Sequence, residues 1–408
     1  MAQNQAATAA RDRIDILDAL RGFALLGILL ANYVGFSGWA EMGEPARVAL
    51  AGQAWAFWSI FLNTMLVEGK FYTIFSFLFG LGFALQLSRL ENRGADGIAT
   101  FRRRLLVLLG IGIVHMTLIW EGDILALYAL LGFTLPFFRP WSERRLLLAA
   151  AILILLPVAG YAVVHAAGIP PTFGLYGLGE RMFVAMGGIE GTNIGIEWRQ
   201  REDWPSFFAW VLSGPPYRLG VFFESWRIPK VLGVMLIGVW AGRRLVAGEL
   251  LGNRALLRSV ALIGFLVGLP ANAGYAAIGG LSQDNFTDGL LATVLYAVGV
   301  VPLGLAYAAT FALLWPSAAP ALRVFSSAGR MALTNYLLQS LFAIAIFYGV
   351  GFGLIGHVPA WTLYAIVAAV FTTQVLLSRF WLAHFEQGPM EWLWRLGTYG
   401  GQRPARAS

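Results

Sequence analysis

Apolar residues run along this chain in long stretches, and the short loops between them carry most of its charge. The stretches cover about 14–36, 70–88, 105–120, 123–138, 146–167, 229–242, 257–278, 287–314, 331–350 and 361–382. A hydrocarbon layer takes roughly 20 residues of helix per crossing, and each stretch is near that length. In lipid only helices or a closed barrel satisfy every backbone group, and these runs lack the strict alternation of a barrel. The pattern predicts an all-α membrane bundle of about ten transmembrane helices.

The arginines give it an orientation. An eleventh apolar stretch, Trp55 to Val67, would put Arg89, Arg93, Arg102, Arg103 and Arg104 outside if it crossed, against the positive-inside bias. It is therefore expected as a re-entrant or interfacial helix on the outer side. That choice places on the cytoplasmic side Arg11, Arg13, the cluster just named, Arg139, Arg144, Arg145, Arg243, Arg244, Arg254, Arg258, Arg323, Arg330, Arg379, Arg395, Arg403 and Arg406. These are twenty of the 29 basic residues, and both termini fall inside. The outer side receives Glu121-Gly122-Asp123, a turn with Asp284, Asn285 and Asp288, a loop at His357 and the connection 168–228. In that connection Trp198, Trp204, Trp210 and Trp226 alternate with Arg199, Glu202, Asp203 and Arg227, as in helices lying at a membrane interface. The chain reads as one domain over 1–408, with five helices in 14–167, the outer connection in 168–228, and five helices and a cytoplasmic tail in 229–400.

Composition agrees. At 58% hydrophobic and 12% charged residues, with a mean hydropathy of +0.68, the chain holds more apolar side chain than a soluble core buries. A net charge of +7 would suggest nucleic acid in a soluble protein, but in these loops it reads as a topology signal, so no nucleic-acid partner is expected. Without cysteine there is no disulfide, thiolate nucleophile or sulfur-ligated metal. Asp15, Asp18 and Arg21 interrupt the first apolar stretch, which is expected to stay as a helix and not to be removed as a signal peptide.

Polar groups inside a span are costly, so each is a candidate for function or for helix pairing. Arg21 and Asn32 are eleven residues apart, about three turns, on one face of the first helix; so are Arg104 and His115 in the third. His115 leads to Glu121 and Asp123. An imidazole acting as a base needs one ring nitrogen held, and Asp123 or Asn32 would hold it. Glu68 and Lys70 flank a glycine at the mouth of an apolar helix and suit an acceptor, or a plain interfacial ion pair. Asn335 and Gln339, one turn apart, suit a substrate or a neighbouring helix equally. The inner arginines suit a phosphorylated donor. A continuous polar tunnel from Arg102, Arg103 and Arg104 to His115 is expected.

The stretches Leu17-Asp18-Ala19-Leu20-Arg21-Gly22-Phe23-Ala24, Gly69-Lys70-Phe71 to Gly82, Arg102-Arg103-Arg104 to His115, Gly122-Asp123-Ile124-Leu125, Gly329-Arg330-Met331-Ala332-Leu333-Thr334-Asn335-Tyr336 and Gly388-Pro389-Met390-Glu391-Trp392-Leu393-Trp394-Arg395 resemble the YeiB family of bacterial membrane proteins, which carry a domain of unknown function. The first-helix motif also resembles the broader transmembrane acyltransferases. That resemblance implies a ten-helix bundle in the bacterial cytoplasmic membrane that takes an acyl group from cytoplasmic acyl-CoA. It implies an acceptor hydroxyl or amine on an extracytoplasmic sugar, glycan or lipid. The O-acyltransferases end this helix with a catalytic histidine, where this chain has Asn32; the N-acetyltransferases likewise carry asparagine there.

The expected enzyme therefore uses His115, Asp123 and Asn32 in catalysis. Glu68, Lys70, Glu121, Asn335 and Gln339 would contact the acceptor, and Arg21, Arg102, Arg103, Arg104 and Arg330 would hold acyl-CoA. The coenzyme is a co-substrate, with no resident cofactor or metal; membrane lipid surrounds the chain, and a homo-oligomer stays open. The competing readings are a transporter or channel for a small polar or anionic solute, and a scaffold.

Overall fold

Every regular element among the described residues is helical. The computed structural model describes residues 2–92, 94, 96–169, 172–189, 194–279 and 286–400, without the side chains of 2–14, 194 and 286–288. Arg11, Arg13, Arg93, Arg403, Arg406, Asp284, Asn285 and Asp288, named above, lie outside the described residues or side chains. In chain order the helices are α1 (Ala2–Phe36), α2 (Glu44–Ala51), α3 (Gln53–Leu66), α4 (Lys70–Glu91), α5 (Gly97–Leu118), α6 (Leu125–Gly132), α7 (Glu143–Ala166), α8 (Leu175–Ala185) and α9 (Ile194–Arg199). There follow α10 (Trp204–Glu224), α11 (Arg227–Val246), α12 (Arg254–Ala277), α13 (Phe286–Leu322), α14 (Ser326–Arg330), α15 (Ala332–Phe347), α16 (Ala360–His384) and α17 (Pro389–Tyr399).

Among the described residues, six segments are long and apolar enough to cross a membrane: Asp15–Phe36, Gln53–Glu91, Glu143–Ala166, Arg254–Ala277, Gly289–Arg330 and Ala360–His384. The other four expected spans fall short for physical reasons. In α5 the obstacle is Arg102, Arg103 and Arg104, and in α11 it is Arg227, Lys230, Arg243 and Arg244. The 123–138 stretch forms the eight-residue α6 and a 3-10 turn at Leu135–Phe138, with Pro136 in the turn. The remaining one, α15, has 16 residues. Leu148, Ile152 and Val163 of α7, Leu262, Ile263 and Leu266 of α12, and Leu376 and Phe380 of α16 are all exposed. An apolar girdle of this extent is a lipid-facing surface, that of a membrane protein.

The Trp55–Val67 stretch lies in an element of its own. It forms α3 and, after the turn Val67-Glu68-Gly69, continues as α4 within one 39-residue apolar segment. Gly69 has φ +83°, a left-handed conformation that glycine adopts without steric cost. The α3 helix is anchored by Trp39 Nε1 donating to Ser59 Oγ at 2.9 Å and by Tyr307, which donates to the Leu66 carbonyl at 3.1 Å.

Arginines tie one end of the bundle together. Arg139 pairs with Glu91 at 2.7 Å, Arg244 with Glu143 at 2.9 Å, and Arg243 donates to the carbonyls of Phe138, Arg139 and Trp141. At the opposite end the loops are knitted by backbone bonds, Gly349 N to Arg199 O and Gly356 N to Ser37 O, and by the ion pair of Arg199 with Glu41.

The α1 helix sits in the middle, with 56% of its apolar window buried against 17% for α7. It crosses α14 in backbone contact, because a Cβ on Gly329 would fall on the Asp18 carbonyl oxygen and one on Gly22 on that of Phe325. Beyond α14 the helix breaks at Met331, and α15 begins under the carboxylate of Glu391 from α17. That carboxylate accepts from the amides of Leu333 (2.7 Å) and Thr334 (3.1 Å) and from Thr334 Oγ1 (2.6 Å).

Candidate functional site

Among the described residues, His115 is the centre of the most complete polar constellation. It lies in the last turn of α5, 1% exposed, with Nδ1 2.8 Å from Asp123 Oδ2 and Nε2 3.0 Å from Ser340 Oγ. Asp123 is equally buried. Its second oxygen accepts from the Ala126 amide in the first turn of α6 at 2.8 Å. Arg218 of α10 closes the turn from above, donating to the carbonyls of Asp123 (2.8 Å) and Gly122 (2.7 Å). The ring of Tyr336, one turn before Ser340 on α15, lies 5.3 Å from the imidazole. Two groups, one 8 and one 225 residues further along the chain, thus hold one imidazole at both nitrogens.

Of the two groups expected to orient His115, Asp123 does so and Asn32 does not. Asn32 is half-buried near the end of α1 and makes no hydrogen bond with the imidazole. The face it shares with Arg21 carries Leu25 and Ile28, both packed in the apolar core, so it lines no polar path. The same holds on α5: between Arg104 and His115 that face presents Leu108 and Gly112, both buried, in place of the expected polar tunnel. Glu121 stands apart, against Trp210 and near Arg199. Ser340 was missed as a site residue because hydroxyls are common in membrane helices and its partners are remote in sequence.

The expected acceptor residues divide. Asn335 Nδ2 donates to Ala328 O at 3.1 Å and Ser378 Oγ at 2.9 Å. Gln339 Nε2 donates to Gln374 Oε1 at 3.1 Å, and Gln374 returns a bond to the Asn335 carbonyl. Both side chains join α15 to its neighbours, the helix-pairing alternative of the two. Glu68 and Lys70 do belong to a polar cluster in which Lys70 and Lys230 are buried and Glu68, Arg227, Tyr72 and Tyr296 half-buried.

The expected coenzyme arginines are scattered. Arg102 and Arg103 are exposed on the first turns of α5. Arg104 stacks on Trp394 of α17, its Cζ 3.9 Å from the ring centroid, and Arg21 is paired with Asp18. Only Arg330 lines the cavity at this end, a space of about 400 Å³ walled by Asp15, Arg323, Ser326, Ser327, Arg330, Arg379, Leu382 and Ala383. Arg323 and Arg379, which read in the sequence as topology signals alone, are its other cations.

Known proteins place the chain as a whole. A family described as "Protein of unknown function (DUF418)" matches residues 241–401, the part holding α12 to α17. The chain is 32% identical to "Uncharacterized protein YxaH" of Bacillus subtilis, over 97% of each chain. It belongs to the YeiB family. YeiB of Escherichia coli K12 is 30% identical over 95% of this chain and 97% of its own, and a 39.9 kDa protein from the amylase 3' region of Bacillus acidopullulyticus is 29% identical over 96% of each. The chemistry of the family member in hand has to come from its own residues.

Proposed function

We propose that this protein is a membrane acyltransferase in which the His115–Asp123 pair activates the hydroxyl of Ser340. One observation carries the reading: the hydrogen-bond order carboxylate, imidazole, hydroxyl. With Asp123 accepting from Nδ1–H, the tautomer assigned by this network leaves Nε2 as the base, and a hydroxyl already lies on it. Both ring nitrogens are engaged, so Ser340 is the first hydroxyl that His115 deprotonates.

In the first half-reaction Ser340 Oγ attacks the carbonyl carbon of an acyl thioester, the C–S bond breaks, and His115 passes the hydroxyl proton to the leaving thiolate. In the second, an acceptor hydroxyl or amine attacks the acyl-serine ester, and His115 takes its proton and returns it to Oγ. Such a relay suits substrates arriving from opposite ends, because they need never occupy the site together. His115 is 1% exposed, so side chains around it must move for either to enter.

The donor is acyl-CoA, its phosphates held by Arg323, Arg330 and Arg379 in the 400 Å³ cavity. The acceptor is a sugar, glycan or lipid at the opposite face. The positive-inside bias supports a cytoplasmic arginine end and cytoplasmic termini, for a bundle that would sit in the bacterial cytoplasmic membrane. Incubation of the purified protein with acetyl-CoA labelled in the acetyl group tests this. The expected result is release of coenzyme A with label on Ser340; intact acetyl-CoA and unlabelled protein overturn it.

The helix interruptions at Val67-Glu68-Gly69 and at Met331 favour a second reading, a transporter of a small anionic solute. A transporter has no reason to cleave the thioester, so the same assay separates the two.

A further inference from the structure

Lys70 and Lys230 are the only lysines in the chain, and both are buried, at 0% and 5% exposure. Lys70 opens α4 and gives one hydrogen bond, to the Thr64 carbonyl at 2.7 Å. Lys230, in the first turn of α11, places Nζ 4.1 Å from the ring centroid of Tyr296. Arg227, three residues before it, lies over the ring of Tyr72 and has its Nε buried without a hydrogen-bond partner. Among the described side chains, Glu68 is the one carboxylate that acts on either lysine.

Among the described side chains, three basic groups, two buried lysines and a half-buried arginine, therefore face a single carboxylate. Buried charges persist when they are paired, and an excess of one sign calls for a counter-ion. The hydroxyls of Tyr72 and Tyr296 share a hydrogen bond at 3.3 Å, which leaves one O–H to donate beside the basic groups. The turn carrying Glu68 and Lys70 is pressed onto the same wall, since a Cβ on Gly69 would lie 2.8 Å from the Tyr296 hydroxyl.

We infer that Lys70, Arg227 and Lys230, with Tyr72 and Tyr296, form a binding site for a phosphate group. The site neighbours His115 through one short helix. Asp123 bonds the first turn of α6, and Tyr128 on that helix donates to the Tyr72 carbonyl at 3.0 Å and shares a hydrogen bond with Ser76 Oγ at 2.9 Å. Its role, to hold a phosphorylated acceptor while the acyl group is delivered, rests on the acyl-transfer reading; the site itself does not. A soluble phosphate ester and a phospholipid headgroup supply the same chemistry.

The test uses the full chain in phosphatidylcholine nanodiscs, with its unfolding midpoint followed against inorganic phosphate at constant ionic strength. A parallel series contains phosphatidylglycerol in place of added phosphate. A saturable rise with free phosphate identifies a soluble ligand, and a rise with phosphatidylglycerol alone identifies a lipid headgroup. Lys230→Met and Arg227→Gln should each weaken the effect about ten-fold or more, the loss of a charge-assisted hydrogen bond. Glu68→Gln, which removes the competing carboxylate, should strengthen it, and Lys230→Arg should preserve it, which keeps the test open if Lys230→Met fails to fold. No saturable rise in either series, or equal rises in wild type, Lys230→Met and Arg227→Gln, overturns the site. His115→Ala should keep the phosphate effect while losing transfer, so the failure of one reading is visible apart from the other.

Discussion

Ser340 and His115 are 225 residues apart in the chain and 3.0 Å apart in the fold. With Asp123 on the other ring nitrogen they form a line of three groups whose proton-transfer roles are set by position. His115→Ala should lower acyl transfer roughly 100- to 10,000-fold. Ser340→Ala should abolish labelling of the protein. A folded Ser340→Ala variant that keeps full transfer would mean that His115 acts on the acceptor directly.

Asn335 serves packing. Asn335→Leu should lower stability by about 1 kcal/mol, the scale of an interhelical hydrogen bond in a membrane, and leave the KM for both substrates unchanged. Thermal unfolding in detergent beside steady-state kinetics checks both halves; a raised KM at unchanged stability would return Asn335 to the binding surface.

The carboxylate of Glu391 binds the start of α15 through three hydrogen bonds. Glu391→Gln should cost about 1–2 kcal/mol, as for a lost helix cap or charged hydrogen bond. Limited proteolysis should then cut before α17 faster than in the wild type.

Where α1 meets α14, Gly329 has the Asp18 backbone in the place of a side chain. Gly329→Val should force the helices apart and cost about 1–3 kcal/mol or more, read as a lowered unfolding midpoint. An unchanged midpoint would show that the crossing is loose.

Arg330 and Arg379 are the predicted grip on the donor phosphates. Replacing both with glutamine should raise the KM for acyl-CoA about ten-fold or more with kcat little changed, and the wild-type KM should rise with salt. A salt-independent KM, unaltered in the double variant, would move the donor elsewhere.

The helical class and the membrane setting were legible because lipid imposes a length and an apolar composition on each crossing, and both are visible in a single chain. The grouping of Arg139 with Arg243 and Arg244 at one end also follows the loop charges. The pairing of His115 with Asp123 was readable because only 8 residues of chain separate them. Ser340 was not, since nothing local reports which of many hydroxyls a remote helix will bring to an imidazole. The coenzyme arginines misled for a related reason. Arg104 has the charge for a phosphate, but its guanidinium lies on Trp394, a contact set by how α17 folds back. Lys230 gave no signal beside the arginines around it, and only its burial separates it from them.

Asp123 divides its two oxygens between an imidazole and the opening amide of a helix. On the proposed mechanism this ties reactivity to folding at a single residue: if α6 unwinds, His115 loses its orientation in the same event. A misassembled copy would be silent, not sluggish, and leakage of a reactive acyl group to water would be confined to molecules that have finished folding.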